Sequence, residues 1–382
     1  MEEKQLLMIP GPTAVPPSVL LSGARPMVNH RGPEFAAVLA EATEGVKKVF
    51  NTEHDVFILT GSGTGGLEAA IVNTLSPGDL VLSVSIGVFG DRFASIAKTF
   101  GVNVESLNFK WGTAADPEKI RARLHADKDK AIKAVLVTHN ETSTGVTNDM
   151  AKIGPIVREH GALLLVDAIS SLVAMDCQMD TWCLDLVIAG SQKAFMIPPG
   201  LAFAAVNDRA WAAMEQAKIP RFYWDLKKAK DYLARGQTPW TPAVPQCFQL
   251  RDALRILAKE TLEGCFARHA SMGAAVRDGV QALGLKLFAD PAHASNAVTA
   301  VRKPEGIEVG ALRKLMLDKY GVVLAGGQQS LKDEIFRIGH LGYVSPLDVV
   351  ATLGALGLAL KELGVSVDPS AGTTAALKAL GG

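Results

Sequence analysis

The sequence predicts an α/β fold, with a mainly parallel sheet in a large domain and a smaller second domain toward the C-terminus. Two observations carry this. Short apolar runs recur from about residue 55 to 206, each followed by a Gly- or Asn-containing turn and a helical pattern. At 382 residues the chain also exceeds what one compact core of ordinary size holds, so two domains are expected.

The chain opens Met-Glu-Glu-Lys and soon reaches Pro10, Pro12, Pro16 and Pro17, which interrupt the apolar run that a signal peptide needs. This Pro-rich arm is expected to pack on the second domain. The clearest strand runs are Val56–Leu59, Leu80–Val84, Ala134–Thr138, Ala162–Val166, Leu186–Ala189 and Leu201–Val206. Runs of this length without polar alternation suit strands buried on both faces, and helices between them imply right-handed parallel crossovers. From Asp208 to Gln246 the pattern gives way to aromatic residues, Lys and Pro, including Arg221, Phe222, Tyr223, Trp224 and Gln237-Thr-Pro-Trp-Thr-Pro. A stretch so irregular is expected to be functional or to lie at an interface. A long helical pattern then runs from Cys247 to about Gly284, followed by strand-like runs at Ala297–Val301 and Phe336–Ile338 and a helix after Pro346. The last dozen residues, rich in Ala and Gly, are expected to fray.

Lys plus Arg and Asp plus Glu each total 39, so no net charge favours a nucleic acid or an anionic membrane as partner. A small ligand fits better. Cys177, Cys183, Cys247 and Cys265 lack the spacing of a zinc site or a disulfide framework. With no stretch long and uncharged enough to span a bilayer, the expected location is the cytoplasm.

Gly61-Ser-Gly-Thr-Gly-Gly follows a strand run and leads into Leu67-Glu-Ala-Ala-Ile-Val, which keeps helical spacing. It reads either as simple punctuation or as a phosphate seat. For the second reading, Gly63 gives close backbone approach, the helix start offers unpaired N–H groups, and Ser62 and Thr64 add hydroxyls. It lacks the Lys-Ser or Lys-Thr close of a Walker loop and the acidic partner of a dinucleotide fold. Two further buried runs end in charged residues. One stops at Asp167, which also reads as a helix cap; the other leads to Lys193, which also reads as a surface lysine. Together these groups sit at the carboxyl edges of one parallel sheet, where open α/β sheets bind ligands. Pyridoxal 5'-phosphate needs such a set: a phosphate seat, an acid to keep its ring nitrogen protonated, and an amine for its aldehyde. Asp167 is the expected acid. Lys193 is expected to form the Schiff base and then to act as the proton-transferring amine.

The chain also resembles the class V aminotransferases of fold type I, near the alanine–glyoxylate and serine–glyoxylate enzymes and archaeal broad-specificity aspartate aminotransferases. The likeness is carried by Ile9-Pro-Gly-Pro-Thr, Asn29-His-Arg-Gly, Gly61-Ser-Gly-Thr-Gly-Gly-Leu-Glu-Ala, His139-Asn-Glu-Thr-Ser-Thr-Gly, Val166-Asp-Ala, Gly190-Ser-Gln-Lys, Gln237-Thr-Pro-Trp-Thr-Pro and Phe336-Arg-Ile-Gly-His-Leu-Gly. It implies a seven-stranded, mainly parallel sheet in a large domain over 20–265. A smaller domain is implied over 1–19 with 266–382.

By position, the resemblance makes Phe89 the residue stacked on the cofactor ring and Ile169 its counterpart on the other face. Thr142 falls near the ring oxygen, and Gln192 beside Lys193. Thr241, with Thr238 beside it, would reach the phosphate in the neighbouring subunit of a homodimer. Arg337 would grip the substrate carboxylate by a bidentate fork, although a lone Arg also reads as a surface salt bridge. Gly326 and Gly327 would leave room for that carboxylate, or simply make a turn. His30 and Arg31 lie in a family segment near the site mouth but are equally explained by packing.

The implied reaction is ping-pong transamination from alanine or serine, with aspartate as another donor, to a 2-oxo acid such as glyoxylate or pyruvate. Two alternatives stand beside it. Cysteine desulfuration on the same fold calls for histidines where Phe89 and Gln192 stand. An accessory subunit of a hydrogenase would not require Lys193, Asp167 and Arg337 together.

Overall fold

A computed structural model describes residues 5–381. Its strands are β1 (Leu6–Met8), β2 (Asp55–Thr60), β3 (Leu80–Ser85), β4 (Asn103–Asn108), β5 (Ile132–Thr138), β6 (Asn140–Glu141), β7 (Val146–Thr147), β8 (Leu163–Asp167), β9 (Leu186–Gly190), β10 (Leu201–Val206), β11 (Val298–Arg302), β12 (Val322–Gly326) and β13 (Ile335–Gly339). Seven of them form the large sheet in the order β2-β10-β9-β8-β5-β3-β4. Every residue of β8, β9 and β10 is buried, which is why these segments are apolar throughout: helices cover both faces of the sheet.

The pairings β9/β8, β8/β5, β5/β3 and β3/β4 are parallel, whereas β10 runs antiparallel to both β9 and β2. The expectation of parallel crossovers thus fails at one strand. Between β9 and β10 the chain turns back through residues 191–200 without a crossover helix, and Lys193 lies in that return. Because β2 points the same way as β9, the carboxyl ends of β2, β3, β5, β8 and β9 share one sheet edge.

The second sheet has the order β1-β12-β13-β11. Phe336 and Ile338 of β13 pack with Met272, Val276, Leu353 and Leu356 in a core of their own. The N-terminal arm joins this sheet through β1, parallel to β12, and then crosses to Lys193.

Three sequence expectations are corrected. The long helical pattern after Cys247 is two helices, Val244–Glu260 and Leu262–Ala282, broken at Thr261 with φ 69°. The Thr261 hydroxyl accepts the Gly264 N–H at 3.1 Å and starts the second helix. The Asp208–Gln246 stretch is less irregular than expected, since it contains the helices Asp208–Met214 and Leu226–Leu233. The final residues do not fray: Ala371–Ala379 is a helix with Ala376 fully buried. It sits on Leu262–Ala282 at a crossing of glycines, where a Cβ on Gly279 would stand 2.9 Å from the Gly372 carbonyl oxygen. No helix among the described residues is long and apolar enough to cross a membrane.

Candidate active site

Lys193 and Asp167 end neighbouring strands' approach to the same edge, since Asp167 of β8 pairs with Ile188 of β9. Asp167 is buried, and one carboxylate oxygen accepts the Ile169 N–H at 2.9 Å. Burial pushes its pKa up to about 7; the Ile169 N–H opposes the rise, and the negative Glu141 adds to it.

Lys193 runs along Gly11. Its Nζ, Cε and Cδ lie 2.7 to 2.9 Å from where a Cβ on Gly11 would be, so only glycine fits there. Its Nζ donates to the Pro10 carbonyl. The arm is pinned alongside, with Thr13 N–H donating to the Gln192 carbonyl at 3.2 Å and the Thr13 hydroxyl to the Lys193 carbonyl at 2.9 Å.

Burial, helped by the positive Arg337 and opposed by Asp167, lowers the Lys193 pKa to about 8. An amine must be unprotonated to condense with an aldehyde. At pH 8 about half of such groups are free, against roughly 0.3% of ordinary lysines. Cofactor uptake by the apoprotein should therefore rise with pH to an inflection near 8, as absorbance-monitored mixing would read; an inflection at the ordinary lysine value would contradict this burial argument.

The glycine-rich turn leaves β2 and starts the helix Gly63–Thr74, with Ser62 at its N-cap. The first helical bond runs from Gly66 N–H to the Ser62 carbonyl at 3.2 Å, so the N–H groups of Gly63, Thr64 and Gly65 face out of the helix start. The Ser62 hydroxyl makes no cap bond, and both Ser62 and Thr64 are exposed. None of these glycines has a positive φ; they are small because neighbours press on them. A Cβ on Gly63 would meet Ile169 at 2.5 Å, and one on Gly61 or Gly65 would meet the Trp224 ring at 2.6 or 2.5 Å. Ile169 also lies 3.3 Å from the Cβ position of Gly190, so it stands between the anion seat and the strand leading to Lys193.

The Thr142 hydroxyl donates to Ser170 Oγ at 2.8 Å, and Ser170 Oγ donates to the Asn140 carbonyl at 2.9 Å. Phe89, half-buried, is the second residue of the helix Val88–Thr99, with the Arg92 guanidinium 4.7 Å from its ring centroid. Arg337, in the middle of β13, donates Nε to the Gly326 carbonyl at 2.9 Å and Nη1 to the Thr142 carbonyl at 3.0 Å. It is 6% exposed and forms no ion pair with an acid of the described residues, so the surface salt-bridge reading fails. Burial lowers its pKa to about 10. A buried guanidinium so placed, with donors to spare, suits a carboxylate that arrives from outside.

Thr238 and Thr241 line a pocket with Thr60 and Trp224, whose ring also meets the glycine-rich turn. The Thr238 hydroxyl donates to the Trp240 carbonyl at 2.7 Å, and Thr241 is exposed. Their loop is held by Arg31, whose Nη1 donates to Gln237 Oε1 and the Thr238 carbonyl, both at 2.8 Å. Arg31, Trp224, Ser170 and Glu141 are therefore structural members of the site that the sequence reading did not place. Arg31 and Glu141 lie in family segments and Trp224 in the aromatic stretch, but none of these signals gave a role, and Ser170 had none.

An amine and an acid at adjacent strand ends, beside a helix start open to an anion, define an enzyme that works through a phosphate-bearing aldehyde cofactor. The family described as aminotransferase class-V matches residues 19–343. The soluble hydrogenase 42 kDa subunit of Anabaena cylindrica is 45% identical over 99% of this chain and 99% of its own. The serine–glyoxylate aminotransferase of Methylorubrum extorquens is 38% identical over 97% of this chain and 94% of its own. The crystal structure of pyridoxamine-pyruvate aminotransferase from Mesorhizobium loti matches with a TM-score of 0.95 and 32% identity, over 100% of this chain and 98% of that one.

The chain belongs to the class V aminotransferases, on the fold type I scaffold, and its cofactor is pyridoxal 5'-phosphate. The residues fit that group. Gln192 Oε1 is buried without a hydrogen-bond partner beside Lys193, and the N–H groups of Gly63, Thr64 and Gly65 precede the first intrahelical bond and are free to meet a phosphate.

Proposed function

We propose that this enzyme transfers the amino group of serine or alanine, with aspartate as a further donor, to glyoxylate or pyruvate by a ping-pong route. The observation that carries this reading is the convergence of Lys193, Asp167 and Arg337: an amine of lowered pKa, a buried acid and a buried guanidinium without an acid partner. The serine–glyoxylate and pyridoxamine–pyruvate relatives support the choice of small substrates.

Bound there, the cofactor supplies a tethered aldehyde and a protonated ring that draws electrons from the substrate's α carbon. Lys193 would hold the cofactor through Nζ and, as a free amine, would take the proton from the substrate's α carbon. Asp167 would hold a proton on the ring nitrogen of the bound cofactor, and Phe89 and Ile169 would shield the ring from water. The helix start at Ser62, Gly63 and Thr64 takes the phosphate. Thr142 and Gln192 orient the ring oxygen and the Lys193 side. Arg337 takes the substrate carboxylate, so donor and acceptor bind in one orientation. Thr238 and Thr241 complete the phosphate seat of a partner copy in a homodimer, which sedimentation tests directly: a fully active monomer would remove that part. The four cysteines are all free, in keeping with a reducing, cytoplasmic setting.

The accessory-subunit alternative falls with the family match, and desulfuration lacks both of its histidines. The test of the reaction is a half-turnover. With holoenzyme and serine but no oxo acid, one equivalent of the serine-derived oxo acid should be released per site; release of ammonia with pyruvate over many turnovers instead would refute transamination. Arg337→Lys, which keeps the charge but loses the fork, should raise the serine needed for half-maximal release by roughly tenfold to a hundredfold, the range of one charged hydrogen bond.

A further inference from the structure

Glu141 is fully buried, makes no ion pair among the described residues, and has no role in the chemistry set out above. Its surroundings are built around it. Oε2 accepts the N–H groups of Phe89 at 3.0 Å and Gly90 at 3.1 Å. Oε1 accepts the Ser143 N–H at 3.1 Å and the Ser143 hydroxyl at 2.5 Å, and Ser143 Oγ in turn accepts the Val88 N–H at 3.0 Å.

Val88, Phe89 and Gly90 are the first three residues of the helix Val88–Thr99, whose first internal bond is Asp91 N–H to the Gly87 carbonyl at 3.1 Å. The N–H groups of these three residues, which the helix start leaves unpaired, are thus all held by Glu141 or Ser143. The fit is tight: a Cβ on Gly87 would stand 2.5 Å from Ser143 Oγ and 2.6 Å from the Glu141 carboxyl carbon. A Ser, Thr or Asn cap would satisfy a helix start without burying a charge. An anion here needs another reason, and Phe89 supplies it, since Glu141 grips the backbone nitrogen three bonds from that ring.

We propose that Glu141 is a positioning residue that acts through Phe89, fixing that ring against the cofactor and so setting how tightly the cofactor is held. This rests on the reading of the site under Proposed function. Its neighbourhood carries charge as well: Glu141 adds to the rise of the Asp167 pKa and opposes the fall at Arg337, yet neither is bonded to it. The backbone grip on Phe89 is therefore the direct route.

The test is a double-mutant cycle read by cofactor binding rather than turnover. Apoprotein is titrated with pyridoxal phosphate and followed by visible absorbance and circular dichroism, in wild type, Glu141→Gln, Phe89→Ala and the pair. Glutamine keeps the size but turns an NH₂ toward N–H donors. Glu141→Gln should weaken binding about tenfold in the wild-type background and less than about twofold where Phe89 is already alanine, because residues in one unit are not additive. Equal losses in both backgrounds, or no loss, would overturn the proposal. Should Glu141→Gln fail to fold, Ser143→Ala replaces it in the same cycle, with a loss of about threefold expected only when Phe89 is present. Lys193→Ala is the control for the underlying reading: if it titrates like wild type, the site assignment fails whatever Glu141 does.

Discussion

Lys193→Ala is expected to lower turnover by roughly 10⁴-fold or more, since one positioned proton-transfer group contributes about 10²–10⁴-fold and the covalent tether is lost with it. The side chain has no understudy. Its Nζ lies against Gly11 and the Pro10 carbonyl, inside a return loop of the chain, and no other lysine is among the groups whose charge reaches Asp167. The variant should fold, because alanine removes a buried, partly charged amine rather than a packed apolar group. Steady-state kinetics on cofactor-saturated variant checks this; activity within tenfold of wild type would mean that another amine does the work.

Asp167→Asn carries the second large effect. Asparagine preserves shape and still accepts the Ile169 N–H bond, but it offers no negative charge to a protonated ring nitrogen. Removing one preorganised electrostatic partner of this kind lowers kcat by about 10²–10³-fold, while the cofactor stays tethered to Lys193. The apoprotein should respond in the opposite sense. The folded pKa of Asp167 is raised to about 7 from the ordinary 3.8, so the folded chain holds that proton where the unfolded chain has lost it. The carboxyl's contribution to stability is therefore lost as pH rises through about 7. Above that pH the neutral variant should melt higher than wild type without cofactor, and calorimetry of the two apoproteins reads the difference. An unchanged kcat would show that the acid does not face the ring.

The large sheet was legible because its strands are buried on both faces and so cannot hide their apolar character; β2, β3, β5, β8, β9 and β10 each overlap a run read from sequence. The edge strand β4, Asn-Val-Glu-Ser-Leu-Asn, escaped because half of it faces solvent and its polarity matches a loop. β1 and β12 are short or partly exposed. The terminal helix was misread because Ala and Gly composition resembles a loose end, and only the contact between Gly279 and Gly372 shows why such small residues belong there.

In the site, Lys193 and Asp167 were readable since each follows a buried strand, and adjacent parallel strands bring their ends together. The bond from Arg337 to the Thr142 carbonyl joins residues 195 apart in sequence, and that from Arg31 to the Thr238 carbonyl joins residues 207 apart. Pairings of that kind have no local signature; family likeness pointed at the residues but not at the bonds. Glu141 was passed over because a single acid before two hydroxyl residues looks like any polar turn, and two of its four donors come from a helix whose start only the fold locates.

The most direct measurement is borohydride reduction of the cofactor-loaded protein followed by peptide mass mapping. A single cofactor adduct on the peptide carrying Lys193 is the predicted result; an adduct on a different lysine, or none in protein shown to hold the cofactor, would contradict the central assignment.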